Sequence, residues 1–258
     1  MRRRRSGRPL AALAAAGLLA LGAVDVASAS VHLPWIPGYD GATSTRSLRT
    51  AYLTRDGSDA FIVVKDGPVL TAAAPETNTG GNTRAVVWPS RSVVARDAQT
   101  CATWSSESDD FIQEGLALRI RHHDGVTTAI TVTKNIYYGA HWMFNVHAWD
   151  SSSASPFTQL GQWDLSPVIL DHGGQYQPMP WRVCFRAVGS TVGMKIWWPA
   201  QMSEPSWSDP DYARTMTIPA EYTWRGHAGW YVGHLRPGLG TSYDGLRTWF
   251  SLVPTLGG

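Results

Sequence analysis

Apolar and polar residues alternate along most of the chain, and this period of two constrains the fold more than any other feature. The clearest window runs from Tyr138 to Asp150. Its apolar positions are Trp142, Phe144, Val146 and Ala148. Windows at 115–122, 181–187 and 192–198 alternate in the same way, and no window after the N-terminus repeats near 3.6 residues. Because such alternation is typical of strands that bury one face, the sequence predicts an all-β protein.

Turn residues divide the predicted strands. Asp56-Gly57 and Asp66-Gly67 are hairpin-turn signals, and His122 to Gly125 forms another turn. Short β-type runs lie at 51–54, 61–65, 69–72 and 85–88, with later runs at 229–235 and 246–253. Residues 30–47, rich in Pro, Gly, Ser and Thr, are expected to form an irregular lead-in. Strands at a spacing of roughly 8–15 residues indicate a sandwich or a barrel.

The first 29 residues have the three parts of a secretory signal peptide. Five arginines lie within residues 1–9, an apolar run covers 10–24, and Ala27-Ser28-Ala29 offers a cleavage site. The apolar run is shorter than the about 20 residues that a membrane span needs. We therefore predict cleavage after Ala29 and a secreted, extracellular or cell-surface product without a membrane span. An uncleaved N-terminal anchor is the alternative.

The charge balance argues against a nucleic-acid partner once this segment is removed. Residues 1–29 hold five of the 22 basic residues and one of the 20 acidic residues, so the net charge falls from +2 to −2. No basic stripe remains that would neutralise a phosphate backbone. A charged fraction of 16% with 43% hydrophobic residues indicates a globular chain rather than a disordered one.

Cys101 and Cys184 are the only cysteines in the sequence. An oxidising compartment favours a disulfide between them. It would close a loop of about 83 residues, which chain-entropy models value at about 4 kcal/mol. Two buried free thiols are the alternative.

The second half of the sequence contains a series of strand motifs in a characteristic order. The predicted strand from Trp181 to Gly189 leads by a tight turn to a strand that ends in Lys195-Ile196-Trp197, and Ala228 to Gly233 and Tyr243 to Leu246 follow. This arrangement resembles the concanavalin A-like lectin/glucanase superfamily, in its laminin-G-like branch. The resemblance covers 181–249 directly and extends back to about residue 93 by pattern. It implies a two-sheet jelly-roll sandwich over 84–258. The preceding residues, 30–83, hold the lead-in and the first strands, of which 48–83 join the same domain.

The resemblance brings no catalytic apparatus with it. Glucanases of this superfamily place two carboxylates on one strand in an E-x-D-x-E run, and retaining chemistry needs them about 5 Å apart. This sequence has no such run. The alginate-lyase-like branch needs a Gln-x-His strand, which this sequence also lacks, although Arg119-Ile120-Arg121 faintly resembles its Arg-rich strand. The fold alone does not define an activity, because it hosts many unrelated ones.

The polar positions of the alternating strands form the candidate ligand site. If the apolar positions face the core, these residues converge on the concave sheet that a jelly roll offers. They are His141, Asn145, His147, Trp149, Arg119, Arg182, Lys195 and Trp197. A mixture of aromatic and hydrogen-bonding side chains suits a carbohydrate, with Trp149 or Trp197 as the stacking platform. Arg119 and Arg182 would clamp the ligand, and a solvated sheet face is the alternative.

The sequence offers few groups for a metal ion. His141 and His147 lie about 20 Å apart along an extended strand and cannot share one ion. Asp109-Asp110 and Asp209-x-Asp211 are hints of the calcium site that laminin-G-like domains often carry at a loop rim. We therefore predict no cofactor, with calcium as the alternative.

These observations lead to one main functional prediction and two alternatives. We expect a secreted lectin-like or adhesion module that binds a carbohydrate and is not an enzyme. A glycan-active enzyme, the first alternative, would need an acid or base from Glu114, Asp97 or His141. The second alternative is a structural envelope protein with no small ligand.

Overall fold

A computed structural model of the chain describes residues 34–56, 60–77, 81–108, 111–137, 141–170 and 177–251. The expected signal peptide and its cleavage site lie outside these residues. Within the described part, no helix has the length and apolarity needed to cross a membrane. This part of the chain is nearly all β-structure, which confirms the prediction from the alternation.

The strands follow one another along the chain with only two single turns of helix among the described residues. The first strands are β1 (Ile36–Asp40), β2 (Leu48–Thr54), β3 (Ile62–Asp66), β4 (Val69–Ala73), β5 (Arg84–Pro89), β6 (Asp97–Glu107), β7 (Gln113–His123) and β8 (Val126–Tyr137). They are followed by β9 (His141–Asp150), β10 (Phe157–Asp164), α1 (Ser166–Ile169), β11 (Trp181–Val188), β12 (Thr191–Trp197), β13 (Ala213–Thr217), a 3-10 turn (Ala220–Tyr222), β14 (His227–Gly233) and β15 (Gly240–Ser251).

The strands form two antiparallel sheets that stack into a jelly-roll sandwich, as predicted. The seven-stranded sheet has the order β10-β9-β8-β7-β14-β5-β2. The eight-stranded sheet has the order β13-β12-β11-β6-β15-β4-β3, and β1 also pairs with β15. Strands β7 to β10 are consecutive neighbours, whereas β14 and β5 join them from distant parts of the chain.

The lead-in is more regular than its composition predicts. Residues 36–40 form β1, which pairs with the end of β15 and is interrupted between Pro37 and Tyr39. Gly38 lies so close to β15 that a Cβ there would be 3.0 Å from the Thr248 hydroxyl oxygen. Tyr39 packs into the core against Trp230, with ring centroids 5.8 Å apart. Pro37 and Gly38 are both part of this strand, although neither residue favours one. The expectation of an irregular segment was therefore wrong for residues 36–40.

The core lies between the sheets and is built from the alternating apolar positions. Trp142, Phe144 and Val146 of β9 all point into it, which confirms the predicted face of that strand. From the opposite sheet, Trp104 stacks on Phe144 with ring centroids 6.0 Å apart and contacts Trp181 at 6.3 Å. Large aromatic residues therefore fill the centre of the sandwich from both sides.

A second, smaller apolar cluster covers the other side of the seven-stranded sheet, which we call its outer face. The members are Ala51, Leu53, Val86, Trp88, Ala117, Ile120, Ala129, Trp149 and Tyr231. They come from β2, β5, β14, β7, β8 and β9, so the cluster crosses most of the sheet. The cluster combines small residues with large aromatic ones, and the Trp88 ring stacks on the His227 ring with centroids 6.0 Å apart.

Two predicted turns appear as tight hairpins. Asp124 and Gly125 join β7 to β8 with φ values of +49° and +78°. A two-residue hairpin turn with positive φ at both positions favours Asp-Gly. Gly67, with φ of +53°, begins the turn from β3 to β4. The Asp66-Gly67 prediction is confirmed. The turn predicted over His122–Gly125 is confined to Asp124-Gly125, because His122 and His123 still pair with β8. Gly57 lies outside the described residues.

Cys101 and Cys184 form the predicted disulfide. The two residues are direct partners on β6 and β11, and their Cα atoms are 4.1 Å apart. The bridge lies on the outer face of the eight-stranded sheet, opposite the core, where it packs with Trp197. A disulfide is consistent with an oxidising compartment.

Candidate functional site

A cavity of about 460 Å³ opens on the outer face of the seven-stranded sheet. Its size falls within the range of ligand-binding pockets, which is roughly 300–1,000 Å³. The described residues that line it are Gly81, Arg84, Phe111, Gln113, Asn135, Asn145, His147, Trp149, Phe157, Gln159, His234 and Arg236. The described part of the lining combines aromatic rings, side-chain amides, two histidines and two arginines, and includes no Asp or Glu.

Aromatic rings form one wall of the cavity. Trp149 of β9 faces Phe157 of β10 at 5.2 Å between centroids, and the two residues are paired in the sheet. The Trp149 indole nitrogen donates to the Thr131 hydroxyl at 2.8 Å, which fixes the ring. Only 3% of Trp149 is exposed, against 45% of Phe157. Phe157 therefore offers the accessible ring face, and Trp149 supports it from below.

A glycine shapes the floor beside this wall. A Cβ on Gly115 would lie 2.6 Å from the Val132 carbonyl oxygen and 2.8 Å from the Tyr231 ring, so no larger residue fits. The Tyr231 hydroxyl donates to Gln113 Oε1 at 3.2 Å. Gln113 in turn donates to Asn135 Oδ1 at 3.2 Å. Gly115 thus leaves room for the buried Tyr231 ring, which holds Gln113. Gln113 and Asn135 line the cavity.

Arg84, at the start of β5, lines the cavity, and its guanidinium group is hydrogen-bonded to neutral groups. Its Nη1 donates to the Thr54 hydroxyl and to the Asn82 carbonyl, both at 3.2 Å, and also to the Asn82 side chain. Its Nη2 lies 2.6 Å from His234 Nε2, so this nitrogen of His234 accepts. The guanidinium carbon is 5.6 Å from the centre of the Trp149 ring, close enough for a cation–π contact.

Both histidines of the cavity are neutral at physiological pH. Burial, and secondly the charge of Arg84, lowers the pKa of His147 to about 4. The same two causes, in the same order, lower the pKa of His234 to about 4. His147 is 8% exposed, and among the described residues no group hydrogen-bonds its Nδ1 atom. A buried polar atom without a partner is unusual, and here it lies on the wall of a cavity that a polar ligand could enter.

Three of the predicted ligand-binding residues meet in this cavity. Asn145, His147 and Trp149 alternate along β9 with the core residues, as the period of two requires, and all three line the pocket. Whether they bind a ligand stays a prediction. His141 begins the same strand, and its side chain lies outside the described part of the molecule.

Arg119 does not join them, and the reason is a bulge. The register of β7 against β8 shifts between Leu118 and Arg121, and Arg119 has a φ of +55°. Its guanidinium turns into the end of the sandwich and donates to three carbonyls, those of Arg96, Tyr222 and Gly189, at 3.2, 2.7 and 2.5 Å. Burial lowers its pKa to about 10. The same bulge moves Ile120 to the outer face, so the expected positions of both residues were wrong.

Arg182, Lys195 and Trp197 lie on the opposite sheet. Arg182 donates to the Gly245 carbonyl at 2.5 Å and to the Thr103 hydroxyl at 3.2 Å. Lys195 donates to the Pro205 carbonyl at 2.8 Å and pairs with Glu204 at 2.6 Å. The ring of Trp197 is buried against the disulfide. The predicted convergence of all the candidate residues on one sheet face was therefore wrong.

Several cavity residues were missed by the sequence analysis. Three of them come from other elements: Arg84 lies in β5, Phe157 in β10, and His234 follows β14. The sheet order brings these residues beside β9. Phe157 and Gln159 alternate along β10 in the manner of a strand face. That alternation was a usable signal, whereas nothing local connects Arg84 or His234 to β9.

The carboxylates considered as catalytic groups lie elsewhere. Glu114 faces the core, where it forms a buried cluster with Glu107 and Lys134, which we call the Glu–Lys–Glu cluster. Lys134 Nζ lies 2.9 Å from Glu114 and also donates to Glu107. Asp97 accepts a hydrogen bond from the Gly189 backbone at 2.8 Å. Neither Glu114 nor Asp97 lines the cavity.

The Glu–Lys–Glu cluster should make stability depend on pH. Burial, then the charge of Glu114, raises the pKa of Glu107 to about 8 despite Lys134. The folded state then holds a proton more tightly than the unfolded state, so this contribution to stability is full below about pH 4.5 and is lost towards pH 8. The Glu107→Gln variant should gain stability relative to the wild type as the pH rises from 5 to 8, by at least about 1 kcal/mol. Urea unfolding of both proteins at each pH measures this difference. A constant difference would contradict the prediction.

The acidic segments considered for calcium show no arrangement for it. Asp209 Oδ1 accepts hydrogen bonds from the backbone of Asp211 at 2.9 Å and of Tyr212 at 3.0 Å, which closes a local turn. Asp109-Asp110 lies outside the described residues. Within the described ranges, no group of three or more His, Cys, Asp or Glu side chains is placed to hold a metal ion.

Comparisons with known proteins bear on the fold. The sequence matches no protein-family model and no curated protein. The CBM2 module of the evolved Dit protein from Lactobacillus casei BL23 phage J-1 aligns with a TM-score of 0.51 and 8% identity, over 86% of this chain and 98% of that chain. At that identity, the likeness is one of fold.

Two further solved structures align more loosely. A protein of unknown function with a galectin-like fold from Bacillus subtilis gives a TM-score of 0.48 and 11% identity, over 85% of this chain and all of that chain (100%). The κ-carrageenase of Pseudoalteromonas carrageenovora, in complex with an oligotetrasaccharide of κ-carrageenan, gives 0.44 and 9%, over 89% of this chain and 100% of that chain. The fold itself, a two-sheet jelly-roll sandwich, follows from the strand order described above.

Proposed function

We propose that the chain is a secreted carbohydrate-binding module and that its binding site is the cavity on the outer face of the seven-stranded sheet. One observation carries the proposal. Three residues selected from the sequence as ligand-binding, Asn145, His147 and Trp149, lie together in a cavity of about 460 Å³. The fold is similar to that of a CBM2 module, which agrees with this role.

The chemistry of the lining supports a saccharide. A sugar ring has apolar faces and an edge of hydroxyl groups, so it needs one flat apolar surface and several hydrogen-bonding groups around it. Phe157 supplies an exposed ring, and Asn145 and His147 supply polar atoms beside it. Gln113 and Asn135 complete the polar floor. This is the combination of an apolar surface with a few convergent polar groups that binding pockets use.

A non-catalytic role fits the residues of the cavity better than glycoside hydrolysis does. Hydrolysis of the usual kind requires two carboxyl groups that flank the bond to be cleaved. The described lining has none, and Glu114 and Asp97 are engaged inside the sandwich. Binding requires neither group.

Phe157→Ala should weaken the binding of a saccharide without unfolding the protein. Stacking of a ring on an aromatic side chain contributes about 1–3 kcal/mol by analogy with base stacking, which corresponds to a loss of roughly 5- to 150-fold in affinity. The ring is 45% exposed, so little packing is lost. A glycan array identifies the best ligand of the secreted protein, and calorimetry then compares the variant with the wild type.

Phe250→Ala is the matched control, because this partly exposed phenylalanine lies in β15 of the other sheet. Its affinity for the ligand should equal that of the wild type. Equal losses in both variants, or no loss in Phe157→Ala, would place the ligand outside the cavity. If no saccharide on the array binds, the proposed function itself is wrong.

A further inference from the structure

We propose that the floor of the cavity recognises the acetamido group of an N-acetylated sugar through the side-chain amides of Gln113 and Asn135. This inference rests on the proposed function, because it names the class of saccharide for the same site. It comes from a chain of hydrogen bonds that starts at Arg84. The direction of this chain leaves amide N–H donors for a ligand at its other end.

The chain begins at the guanidinium group of Arg84, which can only donate hydrogen bonds. Arg84 donates one of them to the hydroxyl of Tyr231. Tyr231 is 1% exposed, and burial raises its pKa, so the hydroxyl keeps its proton and donates it to Gln113 Oε1 at 3.2 Å. The Tyr231 side chain fits closely against two glycines. A Cβ on Gly233 would lie 2.6 Å from its hydroxyl oxygen, and a Cβ on Gly115 would lie 2.8 Å from its ring.

This direction fixes the orientation of the Gln113 amide. With the amide reversed, the buried Tyr231 hydroxyl proton would have no acceptor among the described residues. The Gln113 amide nitrogen therefore faces Asn135 and donates to its Oδ1 at 3.2 Å. Within the described part of the chain, neither the Asn135 amide nitrogen nor the second N–H of Gln113 has an acceptor. Both side chains line the cavity, so these donors remain for a ligand.

An acetamido group matches the floor and the wall beside it. Its carbonyl oxygen accepts hydrogen bonds from the amide donors, and its methyl group needs an apolar surface, which the exposed ring of Phe157 offers. Its N–H needs an acceptor. His147 lies beside Phe157 with ring centroids 5.0 Å apart, is neutral near pH 7, and has no hydrogen-bond partner for Nδ1 among the described residues. A hydroxyl or a carboxylate in the same place lacks the methyl group and would use fewer of these contacts.

Calorimetry with matched oligosaccharides tests the inference. The panel compares cellotriose with N-acetylchitotriose, and methyl galactoside with its 2-acetamido counterpart. An acetylated member should bind roughly 10- to 50-fold more tightly than its hydroxyl counterpart, as expected for one added hydrogen bond and one buried methyl group. Deacetylated chitotriose should lose this gain, because an ammonium group donates hydrogen bonds but accepts none. Trigalacturonate tests whether a carboxylate oxygen is recognised equally well.

Asn135→Asp should reduce the preference for the acetylated member at least about fivefold, with the affinity for its hydroxyl counterpart nearly unchanged. The aspartate keeps an oxygen that accepts from Gln113 but has no N–H to donate. Gln162→Glu is the matched control. Gln162 is exposed on β10 of the same sheet and is not among the described residues that line the cavity, so this variant adds the same charge and should keep the preference.

Tyr231→Phe tests the chain of hydrogen bonds itself, because Tyr231 acts as a positioning residue. The variant keeps the ring and removes the hydroxyl that orients the Gln113 amide. The preference for the acetylated member should fall about two- to fivefold, whereas the affinity for the hydroxyl counterpart, which a general disturbance of the cavity would lower, should hold. Asn135 is partly exposed, so its variant keeps the test valid if Tyr231→Phe does not fold.

The results separate the inference from the proposed function. If hydroxyl and acetylated members bind equally tightly, or if trigalacturonate binds as tightly as N-acetylchitotriose, the acetamido preference is wrong and the carbohydrate-binding function stands. If the preference exists but survives in Asn135→Asp, or falls equally in Gln162→Glu, the floor amides do not supply it and the inference is also wrong. If no saccharide binds at all, the proposed function is wrong and the inference falls with it.

Discussion

Replacing Lys134 with methionine should lower the free energy of unfolding by about 3–5 kcal/mol. For a domain of this size, that is a fall of roughly 6–20 °C in Tm. Lys134 is fully buried and is the cation between Glu107 and Glu114. Methionine would fill a similar volume but leave the Glu114 carboxylate in the core without its cation, beside a Glu107 that still holds a proton at neutral pH. An unpaired buried charge is costly. Urea and thermal unfolding of the wild type and the variant measure the loss.

The control for this prediction replaces the whole cluster. A triple variant with Glu107→Met, Lys134→Met and Glu114→Met removes all the charges together and leaves an apolar core. A buried ion cluster is expensive to desolvate, so the triple variant should be much more stable than Lys134→Met alone and close to the wild type. If the single variant loses less than about 1 kcal/mol, or if the triple variant is no better, the cluster does not act as an ionic unit.

The fold could be predicted well because the alternation of apolar and polar residues along each strand indicates which face of that strand is buried. Phe144 and Val146 alternate with Asn145 and His147 along β9. In the structure the first pair faces the core and the second pair faces the cavity. Alternation indicates the wrong face where a strand departs from regular pleating. The bulge at Arg119 adds one residue to β7, so counting by twos assigns the wrong face from there onward. Such a bulge leaves no clear mark on the local sequence.

The candidate site could be predicted only in part, because alternation gives the face of a strand but not the sheet to which the strand belongs. Trp149 and Trp197 both occupy outward positions, yet they lie on opposite sides of the sandwich. The position of Arg84 beside Trp149 depends on β5 and β14 inserting next to β7. These are long-range pairings that neither composition nor spacing reveals in one sequence.

Loss of the Cys101–Cys184 disulfide should lower the free energy of unfolding by about 2–5 kcal/mol. The bridge closes a loop of 83 residues in sequence. That loop contains β7 to β10, four neighbouring strands of the seven-stranded sheet, although both cysteines belong to the eight-stranded sheet. In the unfolded chain the bridge therefore restricts a long segment that must find its place on the opposite sheet. Removing the bridge raises the conformational entropy of the unfolded chain and so favours unfolding.

Three forms of the protein separate the effect of the covalent bond from that of packing. The oxidised wild type and the reduced wild type differ in the bond, whereas the reduced wild type and a Cys101→Ala, Cys184→Ala variant differ in the sulfur atoms that pack against Trp197. If the bond acts mainly on the unfolded chain, most of the loss appears on reduction, and the further step to alanine is smaller. Equal stability of the oxidised and reduced forms, with the loss confined to the alanine variant, would show that packing beneath Trp197 accounts for the effect and that the bond itself contributes nothing.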